Sequence, residues 1–329
     1  TSRGEPDEVR IHSGLQDGYT TGTPLGMVIQ NKDARSGKYE PYVTAPRPSH
    51  GDFTYSAKFG TRNWGGGGRS SARETVNWVA AGAVAKKVLD DHGIELKAHV
   101  NQIGDIEAPD VSFEQMLEHS EDNEVRCAHP ETADRMRERI EQYQKEGDSI
   151  GGSVEFEVRG VPRGLGAPRF DSMTARLGQA MMSVPAATAF EFGLGREARR
   201  YRGSERNEDW EFDEDGDPVP VGNDHGGIQG GITTGQPIRG EVTIHAPTSI
   251  PKAQTTVDWE TGEEKEIQVV GRHDPVLPPR GVPVVESMLA LTLVDFLLLS
   301  GRANPDRMDG RPGKYETDYH PRSPGNVDE

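Results

Sequence analysis

Four consecutive glycines, Gly65 to Gly68, run directly into Arg69, Ser70, Ser71 and Arg73, and a helical pattern begins at the same point. Backbone without Cβ atoms can approach a ligand closely. Ser71 and Glu74 have the S-x-x-E spacing of a capping box, and Val76, Val79, Ala80 and Val84 repeat at helical spacing until the stop at 90–93. Free N–H groups and the positive end of a helix dipole would then sit beside two arginines and two hydroxyls, a donor set suited to phosphate or carboxylate. The composition fits a plain flexible loop before an ordinary cap equally well, and spacing alone leaves both readings open. A Walker site is excluded, because no G-K-[ST] follows.

Three other stretches could carry chemistry. "APRPSHGDFTY" at 45–55 sets His50 in a Pro/Gly frame just after Arg47, a proton-transfer group beside an anion ligand or else a structural turn histidine. "DHGGIQGGITTGQPIRGEVTIHAPTSI" at 224–250 is rich in glycine and hydroxyls. Gly226, Gly227, Gly230 and Gly231 would let a flat or phosphorylated ligand lie against backbone, and a long loop with bulges explains the composition as well. "GRHDPVLPPRGVPVVESM" at 271–288 puts Arg272, His273, Asp274 and Arg280 before an apolar helix, either a polar site or a solvated loop. No H-E-x-x-H or paired-cysteine spacing occurs, so no metal site is expected.

The elements that must position these residues point to an α+β fold. The opening third reads as loops on short strands, including 26–31, with no helical pattern before Ser71. Helices are expected from Ser71 to about 90, over 131–147, over 171–184, and over 282–301 with Pro283 near the first turn; strands over 153–161 and 241–246. One domain over 1–301 is expected, with a flexible acidic insertion at 198–221 lying outside it and a polar tail at 302–329.

Charge narrows the partners. Acidic residues number 54 against 37 basic, a formal charge of -17 that disfavours nucleic acid and anionic lipid. Ten of the basic residues are lysine, and acids crowd stretches such as 207–217, so a salt-adapted, halophilic protein is expected. A single cysteine, Cys127, rules out an intrachain disulfide and fits a reducing cytoplasm. The apolar run at 284–299 contains Glu286 and Asp295 and reads as a core helix, not a membrane span.

Taken in order, "RPSHGDFTY", "GGGGRSSARET", the block from Asp148 to Ala187, "GGIQGGITTGQPI" and "GRHDPVLPPRGVPVVESM" resemble the chorismate synthase family over residues 1 to about 300. The resemblance implies a lyase of aromatic amino-acid biosynthesis. Such an enzyme converts 5-enolpyruvylshikimate 3-phosphate to chorismate by anti-1,4-elimination of phosphate, and it depends on reduced FMN. It implies a sandwich of long helices between antiparallel four-stranded sheets, assembled as a homotetramer. By the same resemblance His50 and Asp274 would be catalytic, and Arg47, Arg73 and Arg272 would grip substrate. Arg69, Ser70, Ser71, Gly230, His245, Ala246, Pro247, Thr248, Ser249 and Arg272 would contact the flavin.

The chain departs from the family's pattern in places. The family's G-E-S-H-G block and the following R-R-x-P-G-Q-S segment have no counterpart, and the chain is read as starting just after them, without an initiating methionine. "HAPTSI" stands where K-P-T-S-S-I is usual, and Val276 where cysteine is usual. Besides the active lyase, two alternatives follow: a form that binds flavin and substrate without turnover, and a phosphate-binding protein using only the glycine loops. The reduced flavin could come from NADPH at the protein itself or from a separate flavin reductase; no dinucleotide fingerprint follows a strand, which leans towards the separate reductase and leaves both open.

Overall fold

The computed structural model describes residues 7–32, 36–214, 216, 218–269 and 273–301. The chain opens with a bulged antiparallel ribbon, β1 (Val9–Ser13) on β4 (Gly26–Ile29), interrupted by the hairpin β2 (Leu15–Gln16) and β3 (Tyr19–Thr20). Helix α1 (Asp52–Phe59) follows, ended by Gly60 in the left-handed region with its N–H on the Ser56 carbonyl. This corrects the expectation of no helix before Ser71. The helix has only eight residues, and Phe53 and Phe59 face solvent, so no apolar stripe marks it.

A 3-10 turn, Ala72–Glu74, then leads into α2 (Thr75–Asp90). The Ser71 hydroxyl accepts the Arg73 N–H at 3.2 Å, so Ser71 caps the 3-10 turn and the α-helix proper begins four residues later. The middle of the chain runs β5 (Glu95–Ile103), β6 (Ile106–Glu107), α3 (Phe113–His119), α4 (Pro130–Lys145), β7 (Gly152–Arg159), α5 (Met173–Met182) and β8 (Ala187–Phe192). After α6 (Gly203–Arg206) come the ribbon β9 (Trp210–Phe212) with β10 (Pro218–Pro220) and the hairpin β11 (Ile228–Gln229) with β12 (Ile232–Thr233). Strand β13 (Ile238–Ile244), the ribbon β14 (Ala253–Asp258) with β15 (Glu263–Gln268) and α7 (Pro278–Leu299) complete the described chain.

One antiparallel sheet, in the order β6-β5-β7-β13-β8, organises the molecule. Its register sorts side chains by face. Ala98, Phe156, Gly240 and Phe192 form one row, and Val100, Val154, Val242 and Phe190 the next; this face takes α7. The opposite face is polar, with His99, Glu155, Glu241 and Glu191 side by side. Burial, together with the Glu155 and Glu191 carboxylates, raises the Glu241 carboxyl above the usual range.

Helix α7 starts on Pro278 and Pro279, four residues before the expected start, and keeps Pro283 within it. By length and composition it could cross a membrane, yet 56% of its most apolar window is buried in the protein. Its Glu286 carboxylate is paired with Lys86 of α2, lies 3.5 Å from Lys97, and accepts the Ala98 N–H at 3.1 Å. Helix α2 crosses α7 at Gly82, where a Cβ would stand 2.3 Å from that of Ser287, and its outer side touches β4. The α+β class holds. The expected pair of four-stranded sheets does not: the described residues make one five-stranded sheet and five two-stranded ribbons, because β6 adds an edge and β1 pairs only with β4.

The acidic stretch at 198–221 is also less detached than expected. It forms β9 and β10, and the buried Glu208 carboxylate accepts from the Asp224 N–H at 2.5 Å, His225 Nδ1 at 3.0 Å and Gln229 Nε2 at 3.1 Å. A buried carboxylate needs such donors, and these tie the stretch to the β11–β12 hairpin. The tail at 302–329 lies outside the described residues.

Candidate active site

Loops from distant parts of the sequence meet where β13 ends and β7 begins. Ser149 donates to the Pro247 carbonyl at 2.6 Å, Lys252 pairs with Asp148 at 2.6 Å, and the Ile150 N–H reaches the Pro275 carbonyl at 2.8 Å. A Cβ on Gly151 would stand 2.7 Å from the Ile244 carbonyl, so glycine is what allows the 245–249 loop to lie so close. The His50 turn closes against the same loop. Gly51 in turn faces Ser70, bringing the glycine-rich loop alongside.

His50 is held at both ring nitrogens. Nδ1 lies 2.9 Å from the Pro48 carbonyl, Nε2 2.8 Å from the Ser249 hydroxyl, and the Thr248 hydroxyl 3.3 Å from each nitrogen. Burial and the Arg47 guanidinium lower its pKa, against the opposing pull of the Pro48 carbonyl and Asp52. A carbonyl only accepts, so in the neutral ring Nδ1 carries the hydrogen and Nε2 presents its lone pair to Ser249. The site can therefore take up or pass a proton at one defined atom.

The arginines are less free than the sequence suggests. Arg47 is committed to Asp52 through Nε at 2.8 Å and Nη2 at 3.0 Å, and lies over the rings of Tyr39 and Tyr42. Arg73 pairs with Asp7 at 2.6 Å. Arg69 and Ser70 are exposed, and the Ser70 hydroxyl donates to the Gly67 carbonyl at 2.6 Å. Asp274 pairs with Arg280 at 3.2 Å, while Arg272 lies outside the described residues.

The structure thus brings His50, Ser70, Pro247, Thr248 and Ser249 together, with Ala246 beside Gly151 and Asp274 just before Pro275. His245 is exposed, with Nδ1 on the Ala246 carbonyl. Gly230 is elsewhere. It sits with Gly231 in the two-residue turn of the β11–β12 hairpin, both at positive φ as a type I′ turn requires. That hairpin packs on 164–173, where β7 ends and β13 begins, so the seven residues of β13, roughly 20 Å, separate it from the His50 end. Gly226 and Gly227 are explained by tight packing against Gly193 and Pro237. Sequence reading missed Asp52, Asp148 and Lys252; the only local signal was the placing of Asp52 two residues after His50.

A profile of the family described as chorismate synthase matches residues 1–298. The chain belongs to the chorismate synthase family. It is 79% identical over 324 residues to the chorismate synthase of Haloquadratum walsbyi, spanning 98% of this chain and 85% of that one. To the chorismate synthase of Methanosarcina mazei it is 49% identical over 310 residues, spanning 94% and 85%. A solved chorismate synthase crystal structure matches with a TM-score of 0.72 at 28% identity, covering 92% of this chain and 83% of that one. For a chorismate synthase, a chain that forms chorismate as a lyase, the converged loops around His50 are the natural place to look for the chemistry.

Proposed function

We propose that the His50 end of the sheet performs the anti-1,4-elimination that turns 5-enolpyruvylshikimate 3-phosphate into chorismate and phosphate. The carbon–oxygen bond to phosphate breaks, and a ring carbon gives up its proton. The observation that carries the reading is the placement of His50, with Nδ1 2.9 Å from the Pro48 carbonyl and Nε2 2.8 Å from the Ser249 hydroxyl, beside the glycine-rich loop.

Reduced FMN is the cofactor this reading requires, and the residues present suit it. Gly66 has open space where a Cβ would stand, beside exposed Arg69 and Ser70, and the 245–249 loop adds two hydroxyls. Arg69, Ser70, Ser71 and the stretch from His245 to Ser249 would hold the flavin. When bound, it supplies electron density to the breaking bond. Arg73 and Arg272 would bind the phosphate and carboxylates of the substrate, with Arg47 contributing charge from its place on Asp52. His50 holds or delivers a proton at Nε2 through the Ser249 hydroxyl, and Asp274 assists removal of the ring proton.

A homotetramer, a cytoplasmic setting and a separate flavin reductase drawing on NADPH complete the proposal. The binding-only alternatives are not favoured, given the level of identity to chorismate synthases. The test is anaerobic: protein in concentrated salt, chemically reduced FMN and 5-enolpyruvylshikimate 3-phosphate, with chorismate followed by ultraviolet absorbance. Product is expected at catalytic turnover. Bound flavin without product would leave the binding-only form.

A further inference from the structure

His50 owes its orientation to a loop that one buried carboxylate closes. Asp52 is 5% exposed and accepts from the Arg47 N–H at 3.0 Å, from Arg47 Nε at 2.8 Å and Nη2 at 3.0 Å, and from Arg62 Nη1 at 3.3 Å. These bonds join residue 47 to residue 52 across the turn, and the His50 N–H adds a rung to the Arg47 carbonyl at 3.2 Å. Inside the ring Ser49 is at φ 58°, a left-handed conformation that a non-glycine residue keeps only where its surroundings enforce it. The strained turn places the Pro48 carbonyl on Nδ1 of His50.

Charge points the same way. The groups that face the imidazole are Arg47 and Asp52 from its own loop, His273 from the segment before α7, and the hydroxyls of Thr248 and Ser249. Arg47 and His273 oppose the imidazolium, and Asp52 favours it. Asp52 remains an anion because, although burial acts against it, the bonds from Arg47 hold its carboxyl below the usual range. Arg62 is itself fixed, donating to the Tyr42 carbonyl and lying over the Trp259 ring.

We propose that Asp52 is the positioning residue for His50: its carboxylate closes the 47–52 loop, aims Nε2 at Ser249 and offsets the Arg47 charge facing the ring. The catalytic consequence rests on the role given to His50 above; the structural one does not. Ethoxyformylation by diethyl pyrocarbonate needs the neutral imidazole, so the pH midpoint of labelling at His50, read by peptide mass spectrometry, reports its ionisation without any turnover.

In Asp52→Asn the midpoint moves to lower pH, the pH limb of kcat governed by His50 moves with it, and kcat falls about ten- to a hundred-fold, as expected for a misaligned proton-transfer group. Asp52→Glu, which keeps the charge, restores the midpoint. An unchanged midpoint in folded Asp52→Asn overturns the proposal. If that variant does not fold, Arg62→Gln decides: it removes a cation from the same carboxylate, so the midpoint must rise, and a static midpoint again overturns the idea. A wild-type protein that makes no chorismate yet shows these shifts would refute the proposed function alone.

Discussion

Which nitrogen of His50 exchanges protons is settled by its neighbours, and that determines what its replacement does. With Nδ1 held by the Pro48 carbonyl, Nε2 exchanges protons with the Ser249 hydroxyl at 2.8 Å, and the Thr248 hydroxyl stands farther off at 3.3 Å. His50→Ala removes the acceptor and leaves the Arg47–Asp52 pair intact. Turnover should fall by about 10²–10⁴, the usual worth of a positioned acid–base group, while the melting temperature stays close to wild type. Steady-state chorismate formation and a melting curve on one preparation check both; an unchanged rate would remove His50 from the mechanism. His50 was legible in the sequence because its residue type and its Pro/Gly frame are local. Asp52 was not, because the significance of an aspartate depends on which side chains fold onto it.

At the level of elements, the crossing of α2 and α7 is the joint most sensitive to a single atom. Gly82 is buried there, and a Cβ would stand 2.3 Å from Ser287 Cβ and 2.7 Å from its Cα. Alanine gains about 1 kcal/mol of helix propensity over glycine, but relieving that overlap requires moving two long helices apart, which costs about 1–3 kcal/mol or more. Gly82→Ala should therefore lower the unfolding midpoint in denaturant, and a raised midpoint would show that the helices slide freely. Helix α2 was readable as an apolar period, α7 as a long apolar run and β7 as a clean alternation, while the strand expected over 241–246 is β13, which begins three residues earlier at Ile238 and ends at Ile244. The sequence reading left out β5, nine residues long, and among shorter elements α1, which turns its aromatics outward, and β15, whose charged residues Glu263 to Glu266 are all exposed beside a small separate core of Tyr42, Ala45, Ile267 and Val269. The site's glycines divide similarly. Gly67 and Gly68 take positive φ in the expected loop, whereas Gly226 and Gly227, which look the same in sequence, serve only close backbone packing.

For the whole molecule, the formal charge of -17 acts on every element at once. The excess is not confined to loops, since three glutamates lie side by side on the polar face of the central sheet. At about 0.1 M salt, charges interact over roughly 10 Å, so neighbouring carboxylates repel across much of the surface; at about 1 M that range shrinks to roughly 3 Å. Self-repulsion opposes the compact state, so screening should stabilise it. The melting temperature is expected to climb steeply between about 0.1 and 1 M potassium chloride. Screening alone would then level off, and a continued rise above about 1 M would mark the further effect of hydrated salt around a carboxylate-rich surface. Sucrose, which favours burial without screening charge, should not reproduce the first, steep part. A melting temperature indifferent to salt would mean that the described ion pairs already compensate the acidic surface, and it would count against salt adaptation while leaving the assignment to the family untouched.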